Sequence, residues 1–141
     1  MAPVIRSAVA DDIDHIVGLW HEAGITRPWN DPRKDIERHA AVAPDLLLVA
    51  DDGGGRIVGT VMAAYDGHRG WLYYLASASD RRGEGIGRAL VDEAEARLVA
   101  LGCPKVQLMV RPGNEGVFGF YDALGYERFD VGMTGKRLIP A

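Results

Sequence analysis

The sequence predicts a mixed α/β domain in which helices flank a mostly antiparallel sheet. Short apolar runs, typical of buried strands, alternate with segments whose apolar residues recur at helical spacing. Turn residues, mainly glycine, proline and aspartate, separate these segments. The chain has 141 residues, 48% of them hydrophobic, which is enough for one core. We therefore predict a single domain over residues 1–141.

A strand and two helices are predicted in the first third of the chain. Residues 4–9 read as a short strand, and Asp11 with Asp12 offers an N-cap to the helix that follows. A second helix starts at Asp31-Pro32 and runs to about Ala43, because aspartate caps a helix and proline suits its first position. The apolar face of the first helix comprises Ile13, Ile16, Val17 and Trp20.

Three consecutive strands are predicted next. Residues 46–50 form a continuous apolar run, which is typical of a buried strand. A glycine-rich turn at 51–55 connects it to residues 57–65, its hairpin partner. A second turn at 66–70 leads into a strand at 71–77.

The last third is predicted to add two helices and two strands. A long helix ends at Gly102, and residues 106–110 alternate as a strand. Asn114 caps a shorter helix that stops at Gly125, and residues 126–138 form a last, less regular strand. The predicted order is therefore β α α β β β α β α β. The long helix has one apolar face: Ile86, Leu90, Ala94, Leu98 and Leu101.

Composition excludes several classes of function. A formal net charge of -4, without a basic run, argues against nucleic-acid binding. No apolar stretch approaches the ~20 residues of a membrane span, and the N-terminus lacks a signal pattern. The single cysteine, Cys103, precludes an internal disulfide and suits a reducing, cytoplasmic location. No metal site is expected, because the four histidines lack ligand spacing.

The most informative motif is a glycine-rich loop between the strand at 71–77 and the long helix. Its near absence of side chains lets backbone N–H groups approach a ligand, and the helix N-terminus adds unpaired amides and a positive dipole end. These features predict a phosphate site. The spacing fits neither a dinucleotide fingerprint, whose third glycine slot holds Arg88 or Leu90, nor a P-loop. The motif comprises Arg82, Gly83, Glu84, Gly85, Ile86 and Gly87.

The arrangement resembles the GNAT superfamily of acetyl-CoA-dependent N-acetyltransferases over essentially the whole chain. Two motifs carry the resemblance: Leu75-Ala76-Ser77 with the loop from Arg82 to Arg88, and Asn114 to Tyr121 with the ending Leu124-Gly125-Tyr126. More narrowly, the segments at 27–32 and 66–70 resemble a bacterial YpeA-type branch. The resemblance implies the GNAT fold and acetyl-CoA as cofactor.

The resemblance also implies which residues hold acetyl-CoA. Unpaired backbone groups of the strand would bond the pantetheine arm, the loop would bind the pyrophosphate, and Asn114 would bond the arm while capping its helix. Helix capping alone is the alternative for Asn114. The implied cofactor-binding residues are Leu75, Ala76, Ser77, Arg82, Gly83, Glu84, Gly85, Ile86, Gly87, Arg88, Asn114 and Tyr121.

Tyr121 is the implied catalytic residue, a general acid toward the departing CoA thiolate. Reference pKa values of ~10 for tyrosine and ~8.5 for a thiol make full proton transfer uphill by ~2 kcal/mol, so the phenol works best as a hydrogen-bond donor. The alternative is an aromatic side chain that only packs in the core. Tyr121→Phe distinguishes the two, because it keeps the packing and removes the proton.

The general base and the acceptor site are less well defined. Met109 occupies a position where one branch has its base, a glutamate, and the strand at 71–77 has no carboxylate. Asp31, Asp66, His68 and Glu22 stay as candidate bases, acting directly or through a water held by Tyr73 or Tyr74. In the fold that the resemblance implies, the acceptor lies between the loop joining the first two helices and the region of the fourth strand, opposite the cofactor. The candidate substrate residues are Trp29, Asp31, Asp66, His68 and Tyr73.

The sequence therefore predicts an enzyme that moves an acetyl group from acetyl-CoA to a primary amine by direct attack in a ternary complex. A small-molecule amine is the favoured acceptor, and a peptide or protein amine is the alternative. Two rival functions are a non-catalytic acyl-CoA binding or sensor module and a nucleotide-phosphate enzyme using the same anion site. Many domains of this family form homodimers, although no exposed apolar stripe in this sequence requires one.

Overall fold

The computed structural model describes residues 2–140, and their contacts divide into two compact units, Met1–Leu108 and Met109–Ala141. The first unit holds a five-stranded sheet and three helices, and the second holds one short helix. The strands are β1 (Val4–Ser7), β2 (Leu47–Asp51), β3 (Ile57–Tyr65), β4 (Gly70–Ser77) and β5 (Val106–Gln107). The helices are α1 (Ile13–Glu22), α2 (Pro32–Val42), α3 (Ile86–Ala100) and α4 (Phe118–Ala123).

The sheet is mixed and mostly antiparallel, as predicted. Its spatial order follows the chain, β1-β2-β3-β4-β5, and only the β4–β5 pair is parallel. β2 and most of β3 are buried, which explains why these strands read as continuous apolar runs. The bounds predicted for β3 are those observed.

The two faces of the sheet are covered by different helices. On one face, the indole Nε1 of Trp20 in α1 donates to Thr60 Oγ1 in β3 at 2.8 Å. On the other face, a Cβ placed on Gly59 would lie 2.7 Å from Ile86 and 2.9 Å from Leu90, so β3 and α3 are in close contact there. The first unit therefore consists of a sheet between α1 with α2 on one side and α3 on the other.

The start of α2 follows the predicted chemistry. The Asp31 carboxylate accepts hydrogen bonds from the backbone N–H of Arg33 at 2.9 Å and of Lys34 at 3.4 Å, and Pro32 is the first helical residue. At α1 the predicted capping was wrong. A 3-10 turn at Ala10–Asp12 precedes the helix, and the Asp12 carboxylate accepts from the Val9 N–H at 2.8 Å instead of capping α1.

The predicted C-terminal elements are only partly present. β5 is limited to Val106–Gln107, and no strand is found at residues 126–138 within the part of the chain that the structure describes. A strand needs a hydrogen-bonded partner, and no ladder pairs with those residues. The apolar face predicted for α3 ends at Leu98, because Leu101 lies at the C-cap and is 56% exposed.

Candidate active site

The glycine loop lies where the sequence places it, between β4 and α3. A 3-10 turn at Ser79–Arg81 leads into it, and Gly83 and Gly85 both adopt left-handed backbone angles, with φ +81° and +79°. Gly85 is the N-cap of α3 and supplies no side-chain cap, so side chains leave the first-turn amides of this helix uncovered. A Cβ at either glycine would meet nothing within 4 Å. The loop therefore has open space at both glycines and no side-chain cap on the first-turn N–H groups of α3, which suits a phosphate.

Arginines surround the loop in two different roles. Arg81 is engaged with the Glu84 carboxylate, its Nε lying 2.7 and 2.9 Å from the two oxygens, and this contact lowers the pKa of Glu84. Arg56 of the β2–β3 hairpin donates two hydrogen bonds to Asp80, at 2.9 and 2.8 Å. Among the described residues, neither ion pairs nor hydrogen bonds involve the exposed Arg82 and Arg88. These last two arginines can therefore turn toward an anion.

β4 presents a partly unpaired edge beside this loop. Its parallel pairing with β5 is limited to Gly70 with Val106 and Trp71 with Gln107. From Leu72 to Ser77, the described residues provide β4 no strand partner on that side. Backbone N–H and C=O groups of Leu75, Ala76 and Ser77 that point to this edge are therefore available to an extended ligand.

β4 is also kinked at Tyr74. Val61 of β3 lies opposite both Tyr74 and Leu75, which is the geometry of a β-bulge. Tyr74 has φ +53°, the only left-handed value found for a non-glycine residue among those described. Such a conformation costs ~1–3 kcal/mol and persists only where surrounding contacts hold it. Here the ring stacks on Trp20 at 3.8 Å between centroids, and Thr60 Oγ1 donates to the Tyr74 carbonyl at 2.9 Å.

The second predicted motif forms the helical part of the second unit. Asn114 precedes a 3-10 turn at Glu115–Val117, but its side chain makes no capping hydrogen bond, so the predicted cap was wrong. Tyr121 lies in α4 and is 7% exposed, with its ring near Phe120 and Tyr126 at centroid distances of 5.0 and 5.3 Å. This burial raises the pKa of Tyr121 to about 12.

The candidate substrate residues are dispersed in the first unit. The Asp66 carboxylate accepts from the backbone N–H of His68 and of Arg69, both at 2.7 Å, which lowers its pKa. Tyr73 is 38% exposed, and its pKa is raised by partial burial and then by the charge of Asp66. Trp29, in the loop before α2, is 52% exposed. Asp31 is occupied as the α2 cap, as described above.

The structure adds an interaction that the sequence did not indicate. The phenol of Tyr74 donates to Asp35 Oδ2 of α2 at 2.6 Å, a short bond to a carboxylate. Asp35 follows Asp31 by one helical turn, which is the only sequence signal that could have drawn attention to it.

In the part of the chain that the structure describes, no group of His, Cys, Asp and Glu could hold a metal ion, and no helix could span a membrane.

Comparison with known proteins identifies the class of enzyme to which this loop and sheet belong. Residues 12–126 match the Acetyltransferase (GNAT) family. An acetyltransferase from Pectobacterium atrosepticum is 50% identical over 135 residues, which cover 96% of this chain and 95% of that protein. The chain belongs to the GNAT family of acetyltransferases, so the resemblance inferred from the two motifs is confirmed.

Solved structures confirm the fold. Ard1 from Thermoplasma volcanium superimposes with a TM-score of 0.80 at 21% identity, covering 92% of this chain and 86% of that one. AAC(6')-Iy, solved with the bisubstrate analogue CoA-S-monomethyl-acetylneamine, superimposes with a TM-score of 0.78 at 17% identity. The match covers 96% of this chain and 98% of that one. The YpeA-type branch stays a prediction.

Proposed function

We propose that this acetyltransferase takes its acetyl group from acetyl-CoA and transfers it to a primary amine by direct attack in a ternary complex. The observation that carries the proposal is the bare loop with left-handed Gly83 and Gly85 at the uncapped start of α3. It offers backbone N–H groups and a helix dipole to phosphate oxygens. Direct attack is favoured because no activated side-chain nucleophile accompanies this loop.

The residues of the first unit fit CoA part by part. The amides from Gly83 to Gly87, with the side chains of Arg82 and Arg88, would hold the pyrophosphate. The unpaired edge of β4 from Leu75 to Ser77 would bond the amides of the pantetheine arm in the manner of an added strand. Acetyl-CoA would supply the thioester whose acetyl group is transferred. By resemblance to the family, Asn114 would also bond the pantetheine arm.

Tyr121 would act on the leaving group. With its pKa raised to about 12, the phenol is about 3.5 units less acidic than a thiol near ~8.5, so complete proton transfer to the thiolate would cost ~5 kcal/mol. Tyr121 therefore serves best as a hydrogen-bond donor to the charge that develops on sulfur, while solvent supplies the final proton. The same burial keeps the phenol protonated across the physiological range, as a donor requires.

A small-molecule amine is the acceptor that we favour, ahead of a peptide or protein amine. The chain has a net charge of -4, and the partly exposed Tyr73 offers an aromatic ring to a cation. AAC(6')-Iy, a structure of the same fold, is bound to an analogue built on acetylneamine. Activity on free amines but not on peptide N-termini would support this choice.

Thermal unfolding with CoA, acetyl-CoA, NAD and ATP in parallel tests the donor. A ligand at about 100 times its dissociation constant stabilises the folded state by ~2.7 kcal/mol, which corresponds to a rise in Tm of roughly 5–15 °C. We expect this rise with the two CoA species alone. A rise with NAD or ATP but not CoA would instead identify the anion site of a nucleotide-phosphate enzyme.

The role of Tyr121 is tested by Tyr121→Phe. We expect kcat to fall by about 10²-fold, because hydrogen-bond donation to the leaving group is lost, while the affinity for CoA stays the same. The assay follows CoA release from acetyl-CoA with n-butylamine as acceptor, with calorimetry of CoA binding alongside. Tyr65→Phe, a phenol at the end of β3, is the matched control. Unchanged kcat in Tyr121→Phe would leave this tyrosine a packing residue, and tight CoA binding without turnover of any amine would favour a sensor module.

A further inference from the structure

The kink in β4 turns the Tyr74 side chain to the opposite face of the sheet. Gly70 of this strand faces α3, since a Cβ there would contact Leu98 and Cys103. Strict alternation along a strand would direct residue 74 toward the same face as residue 70. Instead the Tyr74 ring stacks on Trp20 of α1. The bulge therefore moves a phenol from the α3 face to the face that α1 and α2 cover.

Several contacts hold the phenol in this position. The ring is parallel to that of Trp20 within 7°, and Trp20 is itself completely buried. The Thr60 hydroxyl accepts from the Trp20 indole and donates to the Tyr74 carbonyl, so one hydroxyl fixes both the indole and the kinked backbone. A strained backbone supported on two sides in this way indicates a functional requirement for the side chain that it displays.

The phenol meets a carboxylate that is open to solvent. Tyr74 Oη donates to Asp35 Oδ2 at 2.6 Å, and the Asp35 side chain is 27% exposed. The charged and titratable groups that the structure shows against Asp35 are Tyr74 from β4 and Arg38 from its own helix, whose guanidinium lies 4.0 Å from Oδ1. A proton that reaches Asp35 can therefore pass on to water.

This pair lies beside the part of β4 proposed to hold the acyl donor. From Ser77, next to the phosphate loop, back to Tyr74 is three residues, or about 10 Å at the rise of a strand. β4 itself carries no carboxylate. Two of the other candidate bases accept backbone hydrogen bonds, Asp31 as a helix cap and Asp66 within its turn. Asp66 also accepts from the Trp71 indole of β4, at 3.4 Å, whereas Asp35 contacts the strand at the kink itself, through Tyr74.

We propose that Asp35, acting through Tyr74, is the proton acceptor for a cationic primary amine. This inference rests on the proposed function. The ammonium gives one proton to Tyr74 Oη while the phenolic proton moves to Asp35 Oδ2, which leaves a nitrogen lone pair free to attack the acetyl carbonyl. The C–N bond forms, the C–S bond breaks, and the sulfur leaves with the electron pair. The nitrogen loses its second proton, the sulfur gains one, and Asp35 returns its proton to water, so the net reaction releases one proton.

Two acceptors of different basicity test the relay. n-Butylamine is almost fully protonated at neutral pH, as expected for an amine of pKa ~10, whereas methoxyamine is unprotonated there and needs no base. We expect Asp35→Asn and Tyr74→Phe to lower kcat/KM for n-butylamine by about 10²-fold and to leave that for methoxyamine within a few-fold of wild type. The rise of the n-butylamine rate with pH should also change in Asp35→Asn.

Controls separate this role from a structural one. Glu37→Gln removes an exposed carboxylate of the same helix and should keep both rates. CoA affinity by calorimetry and Tm report whether the variants fold, and Tyr74→Phe keeps the ring that stacks on Trp20. Hydrolysis of acetyl-CoA by water, which would lose its proton to the same relay, provides a measurement that needs no amine.

The outcomes are distinct. Equal losses with both amines, or no loss in Asp35→Asn where Tyr121→Phe is impaired, would overturn the inference and leave the proposed function intact. Binding of CoA by the wild-type protein without CoA release from acetyl-CoA, whether by amine or by water, would overturn the proposed function and this inference with it.

Discussion

The two units of the chain are stabilised by different means. In Met1–Leu108, large side chains such as Trp20, Leu48 and Leu90 have no exposed surface. In Met109–Ala141, Tyr121 is the one described residue that is buried. The other apolar side chains there include several that are half or more exposed: Phe129, Val131, Met133, Leu138 and Ile139. Core packing therefore dominates in the first unit, and local contacts dominate in the second.

The largest expected difference comes from truncating one leucine in each unit. Leu90→Ala removes a fully buried side chain packed under Gly59 of β3, and we expect a loss of ~2–5 kcal/mol in the free energy of unfolding. Leu138→Ala removes a side chain that is 85% exposed and should change it by less than ~0.5 kcal/mol. Denaturant titration measures both. Comparable losses would show that the apolar residues of the second unit are buried in solution.

The same contrast decides how much of the molecule the sequence predicts. β3 and α3 are predicted closely because burial of whole strands or of one helical face leaves a local apolar pattern. Residues 126–138 carry a similar alternation, with Phe129, Val131 and Met133, yet the structure gives them no strand partner. A local pattern shows which residues can form a strand, but pairing depends on residues far along the chain.

The candidate site also has one part that the local sequence predicts and another part that it does not. The position of the glycine loop between β4 and α3 is predicted correctly, because it depends on closely spaced glycines and on the helix that follows them. The contact between Tyr74 and Asp35 is not predicted, since it joins residues 39 positions apart. It depends on a register shift between β3 and β4 that no short window of sequence contains. Residue types indicate the candidate anion site, whereas only the folded sheet indicates the candidate base.

An intermediate loss in the free energy of unfolding is expected when the ion pairs that join β1 to the start of α1 are broken. Arg6 donates to both oxygens of Asp12, at 2.7 and 2.9 Å, and to Asp51 at 3.1 Å. Because the Asp12 side chain is 8% exposed, Asp12→Asn should lower the free energy of unfolding by ~1–3 kcal/mol at neutral pH. Asp14→Asn, at a carboxylate that is 83% exposed, is the control and should cost far less.

The pH dependence of this effect has a definite sign. The hydrogen bond from Arg6 holds the pKa of Asp12 below its ordinary value of 3.8. The unfolded chain therefore binds a proton at Asp12 before the folded protein does, and the free energy of unfolding falls as pH drops below about 4. Asp12→Asn should remove that part of the slope. If the free energy of unfolding had the same pH dependence in wild type and variant, the Arg6–Asp12 pair would add no stability.

A smaller loss of stability than that of Asp12→Asn is expected from removing a contact within the second unit. The Arg128 guanidinium lies 4.5 Å from the centroid of the Phe118 ring and 2.7 Å from Asp122 Oδ2, so it joins the residues after α4 to the helix. Both charged side chains are about half exposed, and exposed pairs and cation–π contacts contribute ~0.5–1 kcal/mol each. Arg128→Ala should thus lower the free energy of unfolding by about 1 kcal/mol, whereas Arg128→Lys should retain part of it. Increased hydrogen exchange in α4, with α3 unaffected, would show that this contact stabilises only its own unit. A loss as large as that of Leu90→Ala would contradict the distinction between a packed first unit and a second unit stabilised by local contacts.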